Sequence, residues 1–236
     1  MNKDIAIGIL TLVHLIVSGC DHMSTNPKTV ECDPLVFADT TRAYYRFVND
    51  EPDTFSLVTS VVFVAFDTTV ADAAIDSLFA GYGLLEKAFQ LHGPDVRAEL
   101  KRFGMFVPAG KRPEEFFTFY GQDTDCGLGN QPLVRYATPV FWLSPELLPQ
   151  DSSIYMLTDE FVVKIDPNTT SLQDILLINE EHHVEFLRFR AYRNDIIILR
   201  VTKDSEFDAL AMANFYHVLE MVVWAEVNYS GLLSIP

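Results

Sequence analysis

The sequence predicts an α+β fold of two successive βαββαβ units, each an antiparallel four-stranded sheet with its helices on one face. In the second half of the chain, β-rich runs and segments of helical spacing alternate in that order. The first half repeats the order with longer connections. Short strings also correspond: FVAFDTT at 63–69 answers VVKIDPNTT at 162–170, and RYATPVF at 135–141 answers VWAEVNY at 223–229. We interpret this as an internal duplication, with a chance match of two periodic segments as the alternative.

The second half has the clearer pattern. Its predicted elements, in order, are a strand at 161–165, a helix from Thr170 or Ser171 to about Glu181, strands at 184–190 and 196–201 joined by a turn at 193–195, a helix over 205–219 and a strand at 222–229. A chain with this order usually forms the ferredoxin-like arrangement, in which both helices pack on one face of the sheet.

The first half gives the same order less sharply. Its predicted elements are a strand at 61–66, a helix over 70–82, strands at 84–91 and 103–107, a short helix over 113–120 and a strand at 133–142. Breaks in composition then set the domain limits. Residues 20–43 are polar and suit a flexible tether, and the prolines and serines of 143–153 separate a domain over 44–146 from one over 151–236.

Residues 1–19 are typical of an export signal, because Lys3 precedes an apolar run too short to span a bilayer comfortably. The following Val17-Ser18-Gly19-Cys20 resembles the bacterial lipobox, which implies cleavage before Cys20 and attachment of lipid to its thiol. Each buried acyl methylene adds about 0.8 kcal/mol to membrane binding. We therefore expect a cell-envelope protein, anchored in the outer face of the cytoplasmic membrane or in the outer membrane. The alternative is an ordinary buried helix with a chance cysteine.

Composition argues against a disordered chain and against nucleic acid as a partner. With 49% hydrophobic residues and 18 phenylalanines, the chain can bury a substantial core. A formal net charge of −16, without any basic run, argues against nucleic acid.

Besides Cys20, only Cys32 and Cys126 are present. They could form a disulfide in an oxidising compartment or remain separate thiols, since sequence does not show whether they approach each other.

No catalytic, metal or cofactor site is expected. Glu180-Glu181-His182-His183 contains metal-binding residue types, but adjacent helix positions point in different directions, so we interpret it as a solvated helix end. Gly127-Leu128-Gly129 follows no predicted strand and lacks a paired lysine, which favours a surface turn over a phosphate loop. Glu206, Asp208 and Glu220 are most simply helix-face or cap residues. Cys126 has no histidine nearby in sequence, so we do not expect it to be a catalytic nucleophile.

The second half resembles the N-terminal prodomains of subtilisin-family serine proteases. The resemblance runs through EFVVKI at 160–165 and IILRV at 197–201, and is strongest at the closing string VVWAEVNY of 222–229, where Val227 takes the place of a common proline. It covers about a third of the chain. Residues 44–47 and 55–57 look like the strand pair that introduces such regions in some bacterial subtilases.

This resemblance implies an intramolecular chaperone or inhibitor module. In that family the sheet packs on the protease, and the tail after the last strand, here 230–236, occupies the substrate cleft by strand pairing. This chain lacks the family's catalytic motifs. It is therefore interpreted as a stand-alone module or as the front part of a split or truncated protease gene.

Strand alternation and the resemblance together predict the partner-binding residues. If Ile197, Leu199 and Val201 face the helices, their neighbours face the partner. The predicted contact residues are Val162, Lys164, Ile196, Ile198, Arg200, Trp224, Tyr229, Ser230, Gly231, Leu232 and Leu233. The alternative is that the other half of the chain covers this face.

We therefore expect a non-catalytic lipoprotein that binds membrane lipid through Cys20 and a subtilisin-like serine protease through its second half. A scaffold or adhesion lipoprotein without protease binding is the second hypothesis. It would be favoured if residues 230–236 are not free. Only convergent, buried polar residues in a cleft would favour an enzyme.

Overall fold

The structure is a computed structural model that describes residues 44–91, 100–117, 127–142 and 152–235. The predicted signal segment at 1–19, the tether at 20–43 and the cysteines Cys20, Cys32 and Cys126 lie outside these ranges. The lipid anchor and the disulfide therefore stay predictions.

The described residues form an α+β fold with three α-helices and ten strands. The helices are α1 Asp72–Gly81, α2 Leu172–Glu181 and α3 Ala209–His217. The strands are β1 Tyr45–Val48, β2 Glu51–Thr54, β3 Ser56–Asp67, β4 Lys87–Leu91, β5 Leu100–Phe106, β6 Val134–Trp142, β7 Ser152–Ile165, β8 Val184–Arg190, β9 Arg193–Val201 and β10 Val222–Ile235. All eight strands predicted for the two βαββαβ patterns are thereby confirmed.

Several predicted boundaries are wrong for local reasons. The short helix expected over 113–120 is a 3₁₀ helix at Pro113–Phe116. The second helix of the second half begins at Ala209, because the Asp208 carboxylate caps it by accepting the Ala211 N–H at 2.8 Å. The turn placed at 193–195 lies instead at 191–192, where Tyr192 adopts a positive φ of 62°.

The expected pair of four-stranded sheets is wrong, because the two halves share one antiparallel eight-stranded sheet. Its order is β4-β5-β3-β6-β7-β9-β8, and β10 pairs along β7. β7 joins the halves because it is far longer than expected. Its first part pairs with β6 through Met156 and Val140, and its last part pairs with β9 through Val162 and Ile198. β10 accompanies both parts.

Within this sheet, the strand order of the two halves is the same. The first strand of each half lies between the third and the fourth, giving β4-β5-β3-β6 and β8-β9-β7-β10. The helices differ between the halves. The second half has α2 and α3, whereas the described residues of the first half have α1 and the 3₁₀ helices Pro113–Phe116 and Leu128–Asn130.

The helices cover one face of the sheet. Ile75 and Phe79 of α1 pack on Val62, Val64 and Phe66 of β3. In the second half, residues of α2 and α3 share a core with β7, β9 and β10; it includes Ile175, Leu210, Tyr216, Phe161, Ile197, Leu199 and Val227. The buried side chains of this face come from both halves of the chain.

The opposite face of the first half is also buried, in a cluster to which no described helix contributes. Phe63, Tyr136 and Met156 lie in it. Arg102 of β5 donates a hydrogen bond across this face to the hydroxyl of Ser230 in β10. On a flat sheet these two strands, four places apart, would be separated by roughly 19 Å. The sheet therefore curls around the cluster and excludes water from it.

The β1–β2 hairpin precedes the first half in sequence but packs on α3 of the second half. The Asn214 side chain donates a hydrogen bond to the Tyr45 carbonyl at 2.8 Å. The Phe47 ring stacks on His217 with centroids 4.3 Å apart, and His217 Nε2 lies 3.2 Å from the Asp50 carboxylate. The hairpin thus extends the helix layer of the second half.

Candidate partner-binding surface

The open face of the second half is the sheet surface turned away from α2 and α3. Ile197, Leu199 and Val201 lie in the core beneath the helices, so the alternation used to predict this face holds in β9. The open face carries Glu160, Val162, Lys164, Glu185, Ile196, Ile198, Arg200, Trp224, Glu226 and Asn228, as strand register and alternation place them. This face contains six of the predicted contact residues.

The predicted contact residues on the open face differ in accessibility. Ile196 is only 5% exposed, so it offers little surface to a partner. Val162, Lys164, Ile198 and Trp224 are each half-buried. Trp224 lies opposite Lys164 across the β10–β7 ladder, and Ile198 lies opposite Val162 across the β7–β9 ladder. Val162 and Ile198 therefore form an apolar row across β7 and β9, while Trp224 of β10 lies diagonally from Val162, whose direct partner in β10 is Glu226.

A network of charged side chains lies beside this row. It is located where the strand paired with β7 changes from β6 to β9. Arg200 Nη2 lies 3.4 Å from Glu160 and its Nη1 lies 3.7 Å from Glu185. Asn228 donates to the second oxygen of Glu160 at 3.1 Å. Arg200 is thus held in ion pairs within the chain. The sequence did not predict this network, because its members come from four strands that only the fold brings together.

Asp159 forms the inner part of the same network. Its carboxylate is buried and receives Arg135 Nε at 3.1 Å, while Arg200 Nε lies 3.5 Å away. Thr158 next to it donates to the Asn228 carbonyl at 3.0 Å. Buried carboxylates need such partners, because an unpaired charge would be costly to remove from water. We interpret the network as the structural junction between the halves.

The tail expected to enter a protease cleft is the second part of β10. Ser230 is fully buried, and backbone pairing continues through Leu232 with Tyr155, Leu233 with Ile154 and Ile235 with Ser152. The main chain of 230–235 is therefore extended but already paired with β7. In this arrangement its inner edge is not available for pairing with another protein.

Tyr229 is the most accessible of the predicted contact residues whose side chains are described. It is 44% exposed, and its ring meets Tyr155 edge-on with centroids 4.9 Å apart. The Arg46 guanidinium lies over both Phe55 and Tyr155, at 5.5 and 5.9 Å from their centroids. Burial is the main cause that raises the pKa of Tyr155. Through Tyr155 of β7, these contacts connect the β1–β2 hairpin with Tyr229 of β10.

The structure also describes two segments considered above for metal or phosphate binding, residues 180–183 and 127–129. Among the described residues, no group of three or more His, Cys, Asp or Glu could hold a metal ion. His182 ends α2 and packs against Phe215 with centroids 4.7 Å apart. Gly127 and Gly129 are buried at the 3₁₀ helix Leu128–Asn130, so they do not form an exposed turn as expected. Within the described ranges, no helix is long and apolar enough to cross a membrane.

Comparison with known proteins adds no family assignment. No protein-family model matches the chain, and no curated protein sequence matches it significantly.

Proposed function

We propose that the chain is a non-catalytic envelope lipoprotein, tethered through Cys20, whose second half binds a subtilisin-like serine protease through its open face. The observation that carries this proposal is the order β8-β9-β7-β10 with both helices on one face. A prodomain-like module binds its partner with the sheet face opposite its helices, and with both helices on one face the second half has such a face turned outward. The row of Val162 and Ile198, together with Trp224 diagonal to it, would then make the apolar contact.

We further propose that each half is a ferredoxin-like unit and that the two arose by duplication. The shared strand order of the halves supports this. The first half departs from this pattern in that its described residues between β5 and β6 form 3₁₀ helices. Its opposite sheet face is filled by the buried cluster around Phe63 and Tyr136. Protease binding is therefore assigned to the second half alone.

The paired tail changes the kind of activity proposed. Because 230–235 pair with β7, binding would occur at the protease surface without occupation of its substrate cleft. The expected effect is chaperoning or localisation of the protease, with its hydrolysis of small substrates retained. The same pairing favours the second candidate, a scaffold lipoprotein that has this fold but binds no protease.

Binding to purified subtilisin-like proteases tests this proposal. We would immobilise residues 21–236 and measure the affinity by interferometry, beside hydrolysis of a small peptide substrate. Ile198→Glu places a charge in the apolar row and should weaken binding at least about tenfold, equivalent to about 1.4 kcal/mol. Leu177→Glu adds the same charge on the exposed surface of α2 and should leave binding unchanged.

Two results would reject protease binding at the open face. One is the absence of binding to every protease in the panel, which would favour the scaffold hypothesis. The other is equal weakening by Ile198→Glu and Leu177→Glu. Circular dichroism of both variants would establish that each remains folded, and Trp224→Ala would provide a second open-face variant without an added charge.

Lipid attachment is tested separately by labelling bacteria that express the full chain with an alkyne fatty acid. The chain should incorporate the label, and Cys20→Ser should abolish incorporation. Cys32→Ser is the matched control and should leave labelling intact. Labelling that persists in Cys20→Ser would contradict the proposed anchor.

A further inference from the structure

A groove lies between α3 and the β1–β2 hairpin, on the helix side of the second half and away from the open face. Its volume is about 290 Å³. Apart from Asn214, its described lining residues are apolar or aromatic: Tyr45, Phe47, Phe207, Leu210, Ala211, Phe215 and Val218. Two elements that are distant in sequence form its walls, so the groove exists only because the hairpin docks on α3.

Large apolar side chains at the groove are left partly in water. Val218 is 66% exposed and Phe207 is 38% exposed. Leu210, Asn214 and Val218 follow one another at spacings of four, so one side of α3 and its C-terminal cap line the groove over roughly 12 Å. Leu210 is buried at the base of this side, Asn214 bonds the hairpin, and Val218 exposes its apolar side chain. A groove of that length with apolar walls fits two turns of another helix.

Acidic residues flank the groove at the hairpin tip and, in sequence, at both ends of its helical wall. Asp50 is almost fully exposed where the hairpin tip meets α3, and it lies 3.2 Å from His217, the neighbour of Val218. Glu206 is exposed next to Phe207, and Glu220 is exposed two residues after Val218. None of the described lining residues is a lysine or an arginine. An apolar floor with acidic ends selects an apolar helix that carries positive charge.

We propose that this groove binds a cationic amphipathic helix of a partner protein. Leucine-sized side chains of that helix would contact Phe207, Phe215 and Val218, and its lysines or arginines would meet Asp50, Glu206 and Glu220. This interaction is independent of protease binding at the open face, because the two surfaces lie on opposite sides of the sheet.

The negative charge of the chain favours a cationic helix over two other occupants, a second copy of the chain and an anionic lipid surface. A second copy would bring the same acidic residues and a formal net charge of −16, so the copies repel each other. An anionic lipid surface would be repelled by the same acidic residues. A basic helix is attracted by them, and the attraction falls with ionic strength.

The test uses residues 21–236, which include every described residue, and a fluorescent synthetic helix built from leucine and lysine. We expect saturable binding by fluorescence anisotropy and none for the matched peptide with glutamate in place of lysine. Val218→Asp should weaken binding about tenfold, although its added negative charge favours a purely electrostatic contact. Leu177→Asp, with the same charge change on the 57% exposed Leu177 of α2, should have little effect.

A second pair of variants tests the flanking acidic residues without altering the apolar lining. Glu206→Lys should weaken binding several-fold, whereas Glu180→Lys, the same charge reversal on exposed α2, should not. The proposal is overturned by absence of saturable binding, or by equal effects of Val218→Asp and Leu177→Asp. It is also overturned if sedimentation detects a dimer that Val218→Asp dissociates, because the occupant is then a second copy.

Discussion

At the scale of single residues, Gly104 shows how a missing side chain permits a packing contact. The Phe89 ring of β4 lies across Gly104 of β5, where a Cβ atom would come within 2.3 Å of the ring. The ring also stacks near Phe63 of β3, with centroids 6.4 Å apart. A glycine inside a strand, with a neighbouring aromatic ring over it, lets the edge strand help to close the buried cluster.

We predict that Gly104→Ala lowers the free energy of unfolding by about 1–2 kcal/mol, because the ring must leave its position. Gly81→Ala is the matched control. No atom lies within 4 Å of the position its Cβ would take at the end of α1, so that variant should be neutral or slightly stabilising. Urea unfolding measures both. An equal loss in the two variants would contradict the proposed steric cause.

A second residue-scale prediction concerns Asp195 at the start of β9. Arg193 donates two hydrogen bonds to its carboxylate, at 2.8 and 2.7 Å, and this contact is the main cause that lowers the pKa of Asp195 to about 2. Because the folded pKa is depressed, the contact stabilises the fold above the ordinary carboxyl pKa and is lost as pH falls through about 2.

Arg193→Gln should raise the pKa of Asp195 towards its ordinary value of about 3.9, as measured by NMR titration of the carboxyl carbon. Arg188→Gln removes an arginine from the neighbouring strand and should leave that pKa unchanged. A pKa that stays near 2 in Arg193→Gln would show that another group causes the shift.

At the scale of elements, β7 shows where sequence prediction was sufficient and where it was not. Its last part, 161–165, was predicted because it is continuously β-rich. Residues 158–160 were not assigned to the strand, because a Thr-Asp-Glu run is unusual in a buried strand. They are buried because Arg135, Arg200 and Asn228 converge on them from three other strands. Such partners are distant in sequence and leave no periodic signal.

Two other features of the fold could not be predicted from the sequence for the same reason. The pairing of β6 with β7 and the docking of the hairpin on α3 depend on contacts between separate segments. Helix α2 was predicted well, because its signals are local. Ser171 caps it by accepting the Asp174 N–H, and the Asp174 carboxylate accepts the Ser171 N–H in return. The candidate site was predicted only as far as strand alternation determines a face.

The element-scale prediction concerns the junction in β7. Asp159→Ala should lower the free energy of unfolding by about 3 kcal/mol, because Arg135 and Arg200 lose a partner that is only 2% exposed. Asp76→Ala removes a carboxylate from an exposed pair with Lys87 at 3.8 Å and should cost less than about 1 kcal/mol. Denaturant unfolding measures both. A small effect at Asp159 would contradict the junction role.

At the scale of the whole molecule, one curled sheet determines which surfaces a partner can reach. The curl of the sheet buries the opposite face of the first half. The tail, residues 230–235, forms part of strand β10 in the same sheet. The open face of the second half and the groove beside α3 remain accessible on opposite sides. A chaperone-like contact at the open face is therefore compatible with this arrangement, whereas release of the tail into a cleft would require the pairing with β7 to break.

The central claim, that residues 230–235 are a strand of the shared sheet, is tested most directly by amide hydrogen exchange on residues 21–236. The paired amides of 231–235 should exchange slowly, at rates comparable with those of the β10 amides over 222–229 that pair with β7, because both stretches are bonded to the same strand. Exchange at the rate of an unstructured chain would contradict the account. It would also restore the tail as a segment free to enter a protease cleft.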